Sequence, residues 1–341
     1  MSVIPYTKVF IIAEAGVNHN GDLRKAFRLI DAAVAAGCDA VKFQTFKAEK
    51  LVSINASKAR YQKITTGEKG SQFEMLKKLE LDKSQHQQLS RHCRRQGIIF
   101  LSTPFDENSV DLLEQIGVSI YKVPSGEITN LPLLKYVALK KKPIILSTGM
   151  STLEEVKRAV KTITSAGNSR ITVLHCVTAY PAPVEQANLR AIQTLAGSLK
   201  LPVGYSDHTE GLDAVLAAVA LGARVIEKHF TLDKNLPGPD HKASLEPGEL
   251  KEMVARIRLL EKALGDGIKR PVPCEIENIT VVRKSVIAAH TLIKGQKISR
   301  GDLAIKRPGN GIQPADINKV IGCKVRKNIE ADKVLTWKDI Q

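Results

Sequence analysis

The chain has 341 residues, 43% hydrophobic and 25% charged, and no run approaching the roughly 20 uncharged apolar residues of a membrane helix, so no membrane partner is expected. A formal net charge of +16 invites a nucleic-acid reading, but no aromatic residues interleave the basic ones and no nucleic-acid motif is present, so no nucleic-acid partner is expected; a second explanation of the charge is that it draws anionic substrates toward a site. Five scattered cysteines without a CxxC pair, and an opening MSVIPYTKVFIIAEAG without a basic n-region or cleavage site, fit a reducing, cytoplasmic setting better than a disulfide framework.

Taken in chain order, the first 265 residues alternate between two hydrophobic periods. Short β-branched runs lie at 9–13, 40–43, 98–101, 120–123, 143–146, 171–174, 201–204 and 224–226. Amphipathic helical stretches separate them, among them 23–36, 108–116, 152–165, 211–221 and 247–264. Gly37, Gly97, Gly117, Gly167 and Gly222 stand where helices should end, since glycine tolerates the left-handed C-terminal position. Eight β-then-α units predict an α/β fold, a closed (β/α)8 TIM barrel rather than a doubly wound sheet.

Functional groups crowd the ends of those strands: AEAGVNHNG, KFQTF, STPFD, KVPSGE, STGM, HCVTAYP, YSDHT and EKHFTL. In such barrels the carboxyl ends of the strands build the active site. His208 and His229 close the last two strands; either alone reads as a structural histidine, but two at matched depth on adjacent strands suit a divalent metal with open positions. His241, in the following loop, is a weaker third candidate. Lys42 and Lys122 are anion clamps or, if desolvated, Schiff-base nucleophiles. Thr103, Ser125, Ser147 and Ser206 supply hydroxyl donors for phosphate or carboxylate oxygens. Glu14 and Glu127 could act as general bases, or form ion pairs with Lys42 or Lys122. With no Walker loop or dinucleotide fingerprint, the rim suits a small phosphorylated acid rather than a nucleotide.

Longer signatures go beyond barrel patterning. IIAEAGVNHNGD, VKFQTFKAEKLVS, FLSTPFDENSVD, YKVPSGEITNLPLL, ILSTGMSTLEEV, LHCVTAYPAP, GYSDHTEGL, EKHFTLDKNLPGPDHKASLEPGEL and KRPGNGI together resemble the sialic acid synthase family over nearly the whole chain, closer to its bacterial branch. The resemblance implies that His208 and His229 hold Mn2+ or Mg2+, with Co2+ a further choice. It implies phosphoenolpyruvate binding by Lys42, Thr103, Lys122, Ser125, Ser147 and Ser206, with Glu127 directing the attacking water. Glu14, Gln44, Tyr180 and Asp240 would meet an open-chain N-acylated mannosamine-type sugar. An asparagine that some members carry after the second strand falls in the longer loop SKARYQKITTGEKGSQ, where Tyr61 or Gln62 would stand in, and Thr178 replaces an asparagine of other relatives. The implied reaction joins C3 of phosphoenolpyruvate to the sugar aldehyde and releases phosphate by C–O cleavage, without a lysine Schiff base.

After LEKALGDGIKRPVPCEIEN the barrel pattern stops, which predicts a barrel over 1–268, a linker over 269–282 and a compact β-rich module over 283–341. That last stretch carries 13 Lys and Arg against five Asp and Glu. It resembles the antifreeze-like, or SAF (β-clip), domain of the family, which implies a domain-swapped homodimer whose SAF domain reaches over the partner's barrel and brings Arg307 to the sugar's acyl group. The reaction expected is N-acetylneuraminate synthesis from N-acetylmannosamine. The alternatives are legionaminic acid synthesis from 2,4-diacetamido-2,4,6-trideoxymannose, pseudaminic acid synthesis, and a non-catalytic carbohydrate- or polyanion-binding role.

Overall fold

A computed structural model describes Ile4 and residues 7–341, which form two compact units, one ending at Gly265 and the other running Asp266–Gln341. In the first, strands β1 (Phe10–Gly16), β2 (Ala40–Thr45), β3 (Ile99–Pro104), β4 (Tyr121–Val123), β5 (Ile144–Ser147), β6 (Ile171–Cys176), β7 (Val203–Asp207) and β8 (Val225–His229) make one parallel sheet in the order β3-β2-β1-β8-β7-β6-β5-β4. β3 and β4 lie side by side at its two ends and close the barrel. Helices at Leu23–Ala36, Glu107–Ile116, Leu153–Ser165, Asp213–Ala220 and Pro247–Leu264 agree with the sequence pattern to within two residues at each end. Gly37, Gly97 and Gly117 end their helices in the left-handed region as expected.

Strand pleat sorts the side chains. Ile11, Ala13, Val41 and Phe43 point outward into the large core beneath the helices. Phe10, Ile12, Ala40, Leu101, Ile120, Ile145, Leu174 and Val225 point inward and plug the barrel. Gly204 sits at this level without a side chain because Leu174 already fills the space: a Cβ there would lie 2.6 Å from Leu174 Cδ2 and 2.3 Å from the Val225 carbonyl oxygen. Two residues further along each strand, the same face carries Glu14, Lys42, Thr103, Lys122, Ser147, Cys176, Ser206 and Glu227, so an apolar floor gives way to a polar ring in one step of the pleat.

The loop after β2 contains three short helices, Ala48–Leu51, Arg60–Thr66 and Gln72–Lys77, of which the last two border the site. Gln62, buried, joins these two by accepting at Oε1 from the Ala59 amide (2.9 Å) and from Gln72 Nε2 (3.1 Å). Lys58 donates to the Gly67 and Lys69 carbonyls (3.0 and 2.8 Å) and closes the loop on itself.

The second unit has its own apolar core, including Val286, Leu292, Leu303, Val320 and Leu335. Its β9 (Ser285–Ala288) and β10 (Leu303–Lys306) pair antiparallel. The stretch expected to be a linker is more ordered than that, because Ile276–Val282 forms a helix, with largely exposed side chains, that is hydrogen-bonded to this unit through its backbone. The Gly309 amide donates to the Thr280 carbonyl at 2.7 Å, and a Cβ on Gly309 would come within 2.6 Å of the Arg283 side chain. Arg307, exposed, begins the loop that this contact anchors.

Candidate active site

The polar ring forms the floor of a cavity of about 500 Å³ at the carboxyl ends of the strands, a volume suited to small-molecule ligands. Glu14, Lys42, Gln44, Tyr61, Gln62, Thr103, Lys122, Ser125, Ser147, Thr178, Tyr180, Ser206, His208 and His229 all face it. The two lysines are buried and bound into one network. Lys42 Nζ lies 2.8 Å from Glu14 Oε2 and 3.7 Å from Glu227 Oε2, and donates to Thr103 Oγ1 at 2.9 Å. Lys122 Nζ and Ser206 Oγ both donate to Glu227 Oε1 at 3.0 Å.

Burial raises the Glu14 pKa to about 7 against the pull of Lys42. It works in the same direction on Glu227, but there Lys122 and Lys42 outweigh it and hold the pKa down at about 2. Burial alone would lower Lys42, yet Glu14 and Glu227 raise it, while Lys122 remains lowered. The floor is therefore a pair of desolvated lysines held by an ionised Glu227 and by Glu14, which titrates near neutral pH. The Ser147 hydroxyl beside them is buried with no hydrogen-bond partner among the described residues, free to meet an entering anion.

Two glycines let the surroundings come this close. Gly149 donates its amide to Ser125 Oγ (2.8 Å), and a Cβ there would stand 2.1 Å from Thr178 Oγ1. Gly16 has φ +51, and its missing Cβ would lie 3.2 Å from Glu14 and 3.5 Å from the His229 ring.

Above the floor, rings line the wall. Tyr61 stacks on Tyr180 with centroids 5.0 Å apart, Tyr180 lies 4.1 Å from His208, and His208 lies 5.3 Å from His229. His208 donates from Nδ1 to the Val177 carbonyl (2.7 Å), which leaves Nε2 as its coordinating nitrogen in the neutral form. Burial, His208 and Lys42 drive the His229 pKa well down, and its Nδ1 is buried without a hydrogen-bond partner. An orphaned imidazole nitrogen beside an oriented second histidine fits a divalent cation. Among the described residues no group of three His, Cys, Asp or Glu could hold a metal, so water or substrate would complete its shell.

Three sequence-based expectations need adjustment, those for Glu127, His241 and Asp240. Glu127 does not face the cavity, although Ser125 and Gly126 do; the strand has ended, and the turn hands its carboxylate to Asn130 Nδ2 at 2.7 Å. The carboxylate that pairs with Lys122 is Glu227, which the sequence reading missed. His241 is no third ligand beside His208 and His229, because Thr231 and Asn20 engage its two nitrogens. Asp240 lies just outside the cavity lining, buried, with its pKa raised to about 6 by burial against the opposing charges of His208 and Lys42. Arg307 belongs to the second unit.

A parallel barrel with lysines, hydroxyls and a histidine pair at its strand ends defines an enzyme of the barrel class that handles small anionic substrates. More particularly, the chain belongs to the NeuB family, whose model matches residues 29–269, and a SAF domain matches residues 283–341. It is 53% identical over 330 residues to an N,N'-diacetyllegionaminic acid synthase of Campylobacter jejuni, covering 96% of this chain and 99% of that one. To an N,N'-diacetyllegionaminic acid synthase of Legionella pneumophila it is 50% identical, over 97% of this chain and 94% of that one. Among solved structures, an N-acetylneuraminic acid (sialic acid) synthetase from Leptospira borgpetersenii in complex with citrate matches with a TM-score of 0.72 at 38% identity, covering 80% of this chain and 91% of that one. The chain is thus an enzyme of the sialic acid synthase family. No helix among the described residues is long and apolar enough to cross a membrane.

Proposed function

We propose that this enzyme condenses phosphoenolpyruvate with 2,4-diacetamido-2,4,6-trideoxymannose and water to give N,N'-diacetyllegionaminate and phosphate. The observation that carries the reaction type is the buried pair Lys42 and Lys122, joined through Glu227 and Glu14 at the cavity floor. The choice of sugar rests on similarity: 53% and 50% identity to two legionaminic acid synthases, against 38% to the sialic acid synthetase. This favours the diacetamido sugar over the N-acetylmannosamine expected from sequence, and N-acetylneuraminate synthesis becomes the second reading.

In this reaction Lys42, Lys122, Thr103, Ser125, Ser147 and Ser206 bind the phosphate and carboxylate of phosphoenolpyruvate. The lysines then stabilise the charge that builds on the departing phosphate. Their contacts with Glu14 and Glu227 fix both lysine side chains before substrate arrives, so little reorganisation is needed at reaction. Neither lysine forms a Schiff base. Glu14, with its pKa near 7, can take or give a proton at the sugar's oxygen at neutral pH. His208 and His229 would hold Mn2+, Mg2+ or Co2+; such a cation supplies Lewis acidity to the sugar aldehyde. Gln44, Tyr61, Gln62, Tyr180 and Asp240 bind the sugar, and Arg307 meets its acyl group from the SAF domain of a second copy in a homodimer. The cytoplasm, where phosphoenolpyruvate is made, is the compartment this chemistry requires.

Phosphate release from phosphoenolpyruvate, measured with each sugar, tests the proposal. The diacetamido sugar should give a kcat/KM at least about tenfold above that of N-acetylmannosamine, a difference of roughly 1.4 kcal/mol in transition-state binding. The reverse order would return the enzyme to sialic acid synthesis, and release with neither would overturn the assignment.

A further inference from the structure

The VNHNG stretch after β1 (residues 17–21) carries no reacting group in the scheme above, yet two of its side chains are spent on a segment more than 200 residues away. That segment, Thr231–Leu245, runs from β8 towards the helix Pro247–Leu264 and contains Asp240. The Asp240 side chain makes no hydrogen bond or ion pair among the described residues, although it lies within electrostatic reach of Tyr61, Tyr180, His208 and Lys42. Something other than its own contacts must therefore fix where it points.

Two hydrogen-bonded chains do so. In the first, Asn18 Nδ2 donates to Ser244 Oγ (2.9 Å), and that hydroxyl donates to the Asp240 carbonyl (2.7 Å). In the second, Asn20 Nδ2 donates to the Pro237 carbonyl at 2.7 Å, which fixes the amide's orientation. Its Oδ1 must then accept from His241 Nε2–H, 3.2 Å away, so a neutral His241 carries its proton there and accepts at Nδ1 from the Thr231 hydroxyl (2.6 Å). His241 is fully buried, and burial, reinforced by Lys25, holds its pKa down at about 4, consistent with one fixed neutral tautomer. Gly238 makes room for the chain: with φ +154, a Cβ there would stand 2.6 Å from the His241 ring and 2.8 Å from Asn20 Oδ1.

We infer that Asn18, Asn20, Thr231, His241 and Ser244 are positioning residues that hold Asp240 against the acylamino sugar, so that this clasp sets sugar affinity without touching phosphoenolpyruvate. The inference rests on the proposed function for Asp240 as a sugar contact. Its test is steady-state kinetics in both substrates, with melting temperature alongside. Thr231→Val removes the bond to His241 and the weaker one from the Asp233 amide (3.3 Å); it should raise KM for the sugar about tenfold, leave KM for phosphoenolpyruvate within about twofold, and be rescued by Thr231→Ser. Asn20→Asp, which keeps the acceptor for His241 but loses the donor to Pro237, should move the same constant in the same direction and serves if Thr231→Val does not fold. Wild-type sugar KM in both variants, or equal rises in both KM values with a fall in melting temperature, would overturn the inference. Asp240→Asn separates the two failures. If it raises sugar KM while the clasp variants do not, the inference alone falls; if it has no effect, the sugar role of Asp240 falls and the clasp's function with it.

Discussion

Glu227 is the residue on which the cavity floor depends, because one of its oxygens receives both Lys122 and Ser206 and the other faces Lys42. Removing its charge leaves buried ammonium groups short of compensation, which typically costs about 3–5 kcal/mol. Glu227→Gln should therefore melt earlier than the native enzyme and lose most of its turnover. Phosphate or phosphoenolpyruvate should raise the variant's melting temperature by more than the native protein's, since an anion would replace the missing carboxylate. Equal shifts in a ligand thermal scan would contradict this account of the floor. The histidine pair gives a second expectation. Chelation should abolish phosphate release and Mn2+ restore it, whereas His229→Ala should stay inactive in excess metal; full turnover of chelated enzyme would remove the metal from the scheme.

At the scale of elements, the two-residue period of the strands connects sequence and site. Starting from Val225 in the apolar plug, the next inward positions along β8 are Glu227 and His229, just as Ala40 leads to Lys42 and Gln44 on β2. Glu227 is thus legible in the sequence from strand register, two residues before His229 on the same inward face. Glu127 illustrates the limit of that rule. It follows β4 on a 3-10 turn, where alternation no longer applies and the backbone turns its carboxylate to Asn130. The roles of Asn18, Asn20 and His241 depend on a segment beyond residue 230 folding back onto the loop after β1, which no local pattern encodes.

That loop also carries an acid-sensitive element. His19 accepts at Nδ1 from the Gly21 amide (3.0 Å), and burial followed by His86 lowers its pKa from 6.5 to about 4. The folded state therefore binds fewer protons than the unfolded chain, and the stability His19 contributes is present above pH 6.5 and lost as pH falls through about 4. The loss is on the order of 3 kcal/mol. His19→Gln should show a shallower fall in melting temperature between pH 6.5 and 4 than the native enzyme; identical slopes would assign the acid sensitivity elsewhere.

For the whole molecule, each of the two units has its own apolar core, so deleting Asp266–Gln341 should leave a cooperatively melting barrel. Synthase activity should nevertheless fall at least about a hundredfold, because the deletion removes Arg307, a change of roughly 3 kcal/mol in transition-state binding. An undiminished kcat/KM in that truncation would refute a catalytic role for the SAF domain. Eight strand-helix units and the change of pattern after residue 265 were readable from periodicity alone. The helix Ile276–Val282 was not, since prolines at 271 and 273 mask its short run as a linker.

Turnover in heavy-oxygen water tests whether the lysine floor directs condensation with C–O cleavage of phosphoenolpyruvate. Mass analysis of the released phosphate should find it unlabelled and formed only when the acylamino sugar is present, because the bridging oxygen leaves with phosphorus. Phosphate carrying one solvent oxygen, or released without sugar, would contradict the account.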